Sequence, residues 1–404
     1  MTKKVFLNLG KQPVTNSYLK NLDNLDKEYF YNLKVTYNDK NNLVSLKNFV
    51  KPTMMFNSKY AHRASSSKTM QSHFKELSKE CKKKIKNINC LEIGSNDGVF
   101  IKNFSKKNTI AVEPCSNLAN LTNDMGYITY PVFWNQKISN KILNKHGKRN
   151  LIFSANTMSH IEDLDEVFTS IKKLLDKDGV FIFEDPYILS VLQTNSYDQF
   201  YDEHAHLFSY LSITNLIKKF ELRVFDVKIL NVHGGSIRFY ICHNDGKYKK
   251  KRSVSRILNI ELKNKINKFQ TYKNFANKIR RSKKKLLKIL KDIKKSKKLI
   301  VGYGATYKSS TIYNYCNINS KLIDYIVDTT KNKQNKFTPG SHIKILSPIK
   351  GLHKEIKYIF LAAWNFKKEI INKEINFLKE GGCFITHVPY PRTITLKNVR
   401  KEIS

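Results

Sequence analysis

The 404-residue chain reads as an α/β protein of two doubly wound units joined by a helical connector, with a small irregular N-terminal domain ahead of them. Three observations predict this. Leu91 to Ile93 form a short apolar strand that runs into a glycine turn at Gly94 to Gly98, strand and helix patterns alternate from Asn89 onward, and a second strand and glycine turn follow at Leu299 to Gly304. Alternation of short apolar runs with 3.6-periodic ones is the pattern of a mostly parallel sheet covered by helices on both faces.

The elements follow in order. Residues 1–68 hold strand-like pieces at Val5 to Leu9, Tyr31 to Tyr37 and Leu43 to Leu46, in a polar segment with little core of its own. A helix beginning at Ser72 leads into the first unit, 69–246. After its glycine turn, Val99, Phe100, Ile101 and Phe104 predict a helix whose first N–H groups would face a ligand. Thr109 to Glu113, Leu151 to Ala155 and Gly179 to Phe183 read as strands, Leu164 to Leu175 as an amphipathic helix, and Phe225 to Leu230 with Ser236 to Ile241 as a closing antiparallel pair. In the connector, 247–298, Ile257, Leu262, Ile266, Ile279, Leu286 and Leu290 recur at helical spacing opposite a wet lysine face. The second unit, 299–404, adds strands at Leu322 to Val327, Tyr358 to Ala362 and Cys383 to His387.

A hydrophobic content of 41% with 12% aromatics excludes wholesale disorder. The net charge of +40 invites a nucleic-acid reading, but lysine is spread from Lys3 to Lys401, so a solvated surface accounts for it and no nucleic-acid partner is expected. Such a surface would still attract a nucleotide-linked substrate. The six cysteines form no C-x-x-C pair, so no zinc or redox motif follows from them. No signal-peptide core and no apolar run of about 18 residues is present, which predicts a cytoplasmic protein without membrane contact, monomeric or homodimeric.

Three stretches carry the chemistry. The first turn reads Glu92-x-Gly94-x-x-x-Gly98, not the G-x-G-x-x-G of dinucleotide sites, and Glu113 ends the next strand about twenty residues on, where an acid accepts hydrogen bonds from ribose hydroxyls. Ser154 to Leu164, with Asn156 and His160, lies at the carboxyl end of a strand, where open α/β sheets place ligands. Tyr197 to Ser209 packs Tyr201, Asp202, Glu203, His204 and His206 into one loop. Crowding so many titratable groups costs stability unless they are used.

The form of the first turn resembles the S-adenosylmethionine (SAM) site of Rossmann-like methyltransferases. Further motifs narrow the likeness. The stretch Tyr197 to Ser209 matches F-D-x-x-Y-H-E-H-x-x-Y-F-S, His233 to Arg238 matches H-G-G-S-x-R, and Gly302 to Cys316 matches G-Y-G-A-x-x-K-x-x-T-x-x-N-Y-C. With Thr338 to Ile345 and Ala363 to Phe366, these make nearly the whole chain similar to the SAM-dependent sugar C-methyltransferases that act on nucleotide-linked 4-keto-deoxysugars. The resemblance implies that Glu92, Gly94, Asn96, Asp97 and Gly98 cradle SAM, with Glu113 on its ribose and Asn156 beside the methionine end. It implies His204 as general base, oriented by Glu203, with Tyr201, His160 and Tyr60 donating to an enolate oxygen. It implies Ser65, Arg238, Lys308, Asn314 and Tyr315 as contacts to the nucleotide-diphosphate sugar.

Two departures stand out. Family members begin with a small zinc domain carrying two C-x-x-C pairs, and here only its later part is matched, at Leu9 to Asn16 and Tyr60 to Ser66, so zinc is expected to be absent. A family tyrosine of the sugar site is His62 here, and a histidine beside the base is Asp202. O-methylation of a sugar or another small molecule is the alternative within catalysis, and a basic binding protein that keeps the SAM fold without chemistry is the alternative outside it.

Overall fold

The computed structural model describes residues 3–403 apart from 24 and 354. Its strands, in chain order, are β1 (Lys3–Pro13), β2 (Phe30–Asn38), β3 (Leu43–Leu46), β4 (Cys90–Ile93), β5 (Thr109–Val112), β6 (Ile128–Tyr130), β7 (Arg149–Ala155), β8 (Leu175–Pro186), β9 (His206–Leu207), β10 (Leu222–Leu230), β11 (Ser236–His243), β12 (Ile300–Tyr303), β13 (Tyr325–Val327), β14 (Ile345–Leu346), β15 (Tyr358–Leu361), β16 (Cys383–Thr386) and β17 (Arg392–Ile394). They form three sheets.

The first unit is a seven-stranded sheet in the order β10-β11-β8-β7-β4-β5-β6. Strands β6, β5, β4, β7 and β8 run parallel, and β11 turns antiparallel against β8 and β10. The second unit is a six-stranded sheet, β14-β13-β12-β15-β16-β17, parallel except for its edge strand β17. Cys90 to Ile93 and Ile300 to Tyr303 are buried at every position, as strands covered on both faces must be.

Two helices connect the units, Arg252–Lys263 and Phe269–Lys295. The longer one buries Tyr272, Phe275, Ala276, Ile279, Ser282, Leu286 and Leu290, a stripe at spacings of three and four that leaves the lysine face in solvent. No helix among the described residues is long and apolar enough to cross a membrane.

Two expectations change. The N-terminal strands form a regular antiparallel sheet, β1-β2-β3-β9, whose fourth strand comes from the loop after His204. Its apolar face is not small: Leu33, Val35, Tyr37 and Val44 are fully buried, because the sheet borrows a core from the long connector helix, with Tyr37 stacked on Tyr272 at 4.5 Å and Phe6 tilted against it at 5.1 Å. The helix expected after Gly98 is a single 3₁₀ turn, Ile101–Asn103. Val99, Phe100 and Ile101 are all buried, so the run is apolar on every side instead of along one stripe, and the Asn103 side chain takes the carbonyls of Val99 and Phe100. The first turn therefore offers a ligand its side chains and loop backbone, not a helix terminus.

Candidate active site

Strand β4 delivers Glu92 and then Gly94, which turns at φ 75°, and Gly98 at φ 78° completes the loop. A Cβ on Gly94 would stand 2.1 Å from Thr157 Oγ1, so glycine lets the loop after β7 close over this turn. Glu92 is 3% exposed and its Oε2 has no protein partner. Burial raises its pKa well above the ordinary carboxylate value. Glu113, just beyond β5, accepts from the Asn96 amide at 2.8 Å and the Cys115 amide at 2.9 Å. Asn156 sits left-handed at φ 48° with its amide on the Glu184 carbonyl at 2.8 Å.

The segment 60–67 crosses over this turn. Ala64 N donates to Asn96 Oδ1 at 2.9 Å, the Ser65 hydroxyl donates to Asp97, and Asn117 Nδ2 donates to the Tyr60 carbonyl at 3.0 Å. Ser65, expected on the substrate, is thus committed to Asp97 of the first turn. Three buried carboxyl groups, Glu92, Asp97 and Glu113, are thus neighbours at this turn, and the Glu92 Oε2 is left without a partner. SAM, which carries an ammonium, a sulfonium and two ribose hydroxyls, matches that donor demand.

The loop after β8 holds the reactive group. His204 is 4% exposed, and its Nδ1 lies 2.7 Å from the Gln199 carbonyl. A carbonyl only accepts, so Nδ1 carries the proton and Nε2 keeps its lone pair. Tyr201 Oη lies 3.0 Å from Nε2 and donates to it. Burial holds the His204 pKa well below the usual histidine value, and that of His160 at about 3. The His160 ring stacks on His204 at 5.5 Å and on Phe56 at 5.3 Å, and its Nε2 has no partner. Tyr60 Oη donates to Glu203 Oε2 at 3.4 Å, while Glu203 Oε1 is buried and unpartnered. All five expected catalytic residues are therefore neighbours. Glu203, however, does not orient the imidazole. The Gln199 main chain does, and no side-chain pattern could have shown that.

The expected substrate contacts divide. Lys308, in the first turn of helix Tyr307–Cys316, donates to the His233 carbonyl at 3.3 Å and lies 5.4 Å from the Trp364 ring. Gln199 Nε2 reaches the same carbonyl at 2.8 Å, which ties the second unit to the loop that carries His204. Arg238 is 4% exposed and bonded through Nε to Glu184 at 2.7 Å, with Nη2 2.9 Å from His73 Nε2. Its fork is consumed inside the first unit and does not face a diphosphate. Asn314 is equally committed, donating to Ser310 and Pro339 carbonyls. With Tyr315 it lines a separate cleft of about 380 Å³ beside Gly10, Lys11 and Lys283. Sequence reasoning also missed Lys333, which donates to the Ala305 carbonyl at 2.8 Å and lies 5.0 Å from the Tyr307 ring, itself 6.0 Å from Tyr60. Its signal was slight, one lysine among many, five places before Thr338.

Comparison with known proteins places the chain among methyltransferases. Residues 231–389 match the family described as the C-methyltransferase C-terminal domain, residues 60–227 a methyltransferase domain, and residues 1–56 a zinc binding domain. The chain is 30% identical over 397 residues to the C-methyltransferase NovU of Streptomyces niveus, covering 97% of this chain and 94% of that one. Among solved structures, a SAM-dependent methyltransferase from Clostridium acetobutylicum is 21% identical and covers 43% of this chain and 90% of its own, at a TM-score of 0.32. The CcbJ methyltransferase of Streptomyces caelestis is 10% identical over 42% and 89%, at 0.33. The zinc match meets no ligands here. Residues 1–56 contain neither cysteine nor histidine, and among the described residues no group of three or more His, Cys, Asp or Glu is arranged to hold a metal.

Proposed function

Since the chain belongs to the SAM-dependent C-methyltransferase family, we propose that its substrate is a nucleotide-diphosphate-linked keto-deoxysugar, methylated at the carbon next to the ketone through an enolate. The observation that carries this reading is the His204 imidazole, held by the Gln199 carbonyl so that its lone pair lies on Nε2, where the Tyr201 hydroxyl meets it. A carbon next to a ketone loses its proton only to a positioned base, and the enolate oxygen that results needs donors.

SAM, when bound, supplies an electrophilic methyl group. Glu92, Asp97 and Glu113 would hold its donors, and Asn156 would flank the methionine end. The Tyr201 hydroxyl, which meets Nε2 in this structure, would turn to the substrate oxygen, and His204 Nε2, so released, takes the proton from the substrate carbon. Tyr201, Tyr60 and His160 are the candidate donors to the oxygen that gains charge, and burial keeps both tyrosines un-ionised by raising their pKa values well above 10.0. The enolate carbon would take the methyl group as its bond to the sulfonium sulfur breaks, the electron pair staying on sulfur as a neutral thioether, and the proton leaves later from His204. Lys308 and Lys333, both from the second unit, are the candidate partners of the diphosphate.

The test pairs calorimetry with turnover. Saturable binding of SAM, of its demethylated product and of one nucleotide diphosphate supports the two-site reading, and binding of no nucleotide overturns the substrate class. His204→Ala is expected to lower turnover about 10²- to 10⁴-fold, the usual contribution of general base catalysis, with SAM affinity unchanged. Turnover within a few-fold of the parent would remove His204 as base.

A further inference from the structure

The N-terminal segment matches a zinc-binding family and lacks every ligand such a site needs, yet it is folded against the loop that carries the base. Four contacts join them. Thr15 N donates to Asp202 Oδ2 at 3.1 Å and Thr15 Oγ1 donates to Asp202 Oδ1 at 2.7 Å. Leu46 N donates to the Ala205 carbonyl at 2.9 Å, and Ser45 Oγ lies 2.8 Å from His206 Nδ1. β9 then pairs with β3, Val44 against Leu207 and Ser45 against His206. Asp202 and Thr15 are 2% and 1% exposed.

These contacts fall on both sides of His204. Asp202 is fixed two residues before it, and Ala205 to Leu207 are fixed after it, so the Gln199-to-His204 hydrogen bond is made by a loop clamped at two points. A small domain usually needs a staple when its own core is thin, and a structural metal is one such staple. Here the core comes from Tyr272 of the connector helix, and the attachment comes from strand addition and a doubly accepting carboxylate.

We propose that in this chain the N-terminal sheet works without metal as a positioning module for the general base, with Asp202 and Thr15 as its positioning residues. The role of Asp202 rests on His204 being that base, whereas the metal-free fold does not. Asp202 replaces a family histidine, and by this reading the replacement is the means of attachment.

The full-length enzyme tests it. Elemental analysis is expected to find far less than one zinc per chain, and dialysis against a chelator is expected to leave turnover and melting temperature unchanged. Stoichiometric zinc, or activity lost to the chelator and restored by zinc, overturns the proposal. Thr15→Val keeps the side-chain volume and the main-chain contact but removes the hydroxyl, and Asp202→Ala removes both acceptors. Each is expected to lower kcat about tenfold or more while KM for SAM stays within twofold. Asp202→Asn can still accept from Thr15 N and donate to Thr15 Oγ1, so it should recover kcat to within about threefold. Unchanged kcat in folded Thr15→Val and Asp202→Ala overturns the positioning role, as does failure of Asp202→Asn to recover. If His204→Ala itself remained active, the base assignment would fall while the zinc result kept its meaning.

Discussion

Both α/β units bring a strand into a turn at a left-handed glycine, Gly94 at φ 75° after β4 and Gly304 at φ 93° after β12. In both, an acid at the end of the neighbouring strand accepts an amide of that turn: Glu113 from Asn96 at 2.8 Å, Asp328 from Ala305 at 2.7 Å. The side chains around the two turns then differ in sign. The first is ringed by Glu92, Asp97 and Glu113 and followed by a 3₁₀ turn. The second is followed by a true helix and flanked by Lys308 and Lys333, neither of which forms an ion pair among the described residues. One backbone design thus carries acidic side chains in the first unit and lysines in the second, the contrast expected if the first turn takes SAM and the second the proposed diphosphate.

Four changes would break or sharpen that contrast. The largest concerns the guanidinium of the first unit, which Glu184 neutralises. Arg238→Ala leaves the buried Glu184 carboxylate with His73 as its remaining side-chain partner, and a loss of about 3 kcal/mol in denaturant-monitored stability is expected. A variant that instead kept its stability and lost only nucleotide affinity would return Arg238 to the diphosphate. Next, Glu113→Ala should weaken SAM binding roughly 10- to 100-fold by calorimetry, the cost of removing a charged acceptor, with nucleotide affinity unchanged. Lys308→Ala should show the mirror image, a roughly tenfold loss for the nucleotide diphosphate and none for SAM. Equal losses for both ligands in either variant would mean that the two turns serve one site without division.

The smallest effect lies in pH. An ordinary imidazole would be about three-quarters protonated at pH 6. Burial lowers the His204 pKa, so the neutral base should persist and kcat/KM at pH 6 should stay near its value at pH 7. An acid limb centred near 6.5 would show a solvated base. The stability sign is the same. His160 and His206, held at about 3 and 4, stay neutral in the fold while the unfolded chain takes up protons below about 6.5, so their contribution is present above that pH and fades from there downward.

Much of this was legible in the residues. Short apolar strands ending in glycine, and a loop as crowded as Tyr197 to Ser209, are local signals, and the structure brings Tyr60, His160, Tyr201, Glu203 and His204 together as expected. What was hidden depends on distant partners. Arg238 looked like a phosphate ligand until Glu184 and His73 were beside it, and Asn314 until it met Pro339. Val99 to Phe104 had helical spacing, but burial on all sides and the Asn103 side chain broke the run. The N-terminal strands were readable at nearly their true positions, while their core was not, since it belongs to Tyr272, more than two hundred residues downstream.

The pairing of β3 with β9 also bears on how the chain is made. Val44 and Leu207 meet across more than 160 residues, so on the ribosome the first three strands emerge long before their fourth. Until then β3 is an open edge, able to template pairing with another nascent chain, and closing it requires a loop of nearly half the polypeptide. Completion of the N-terminal sheet and assembly of the His204 loop become one late event in biogenesis, so a chain that has not yet buried its aggregation-prone edge has not fixed His204 in place either.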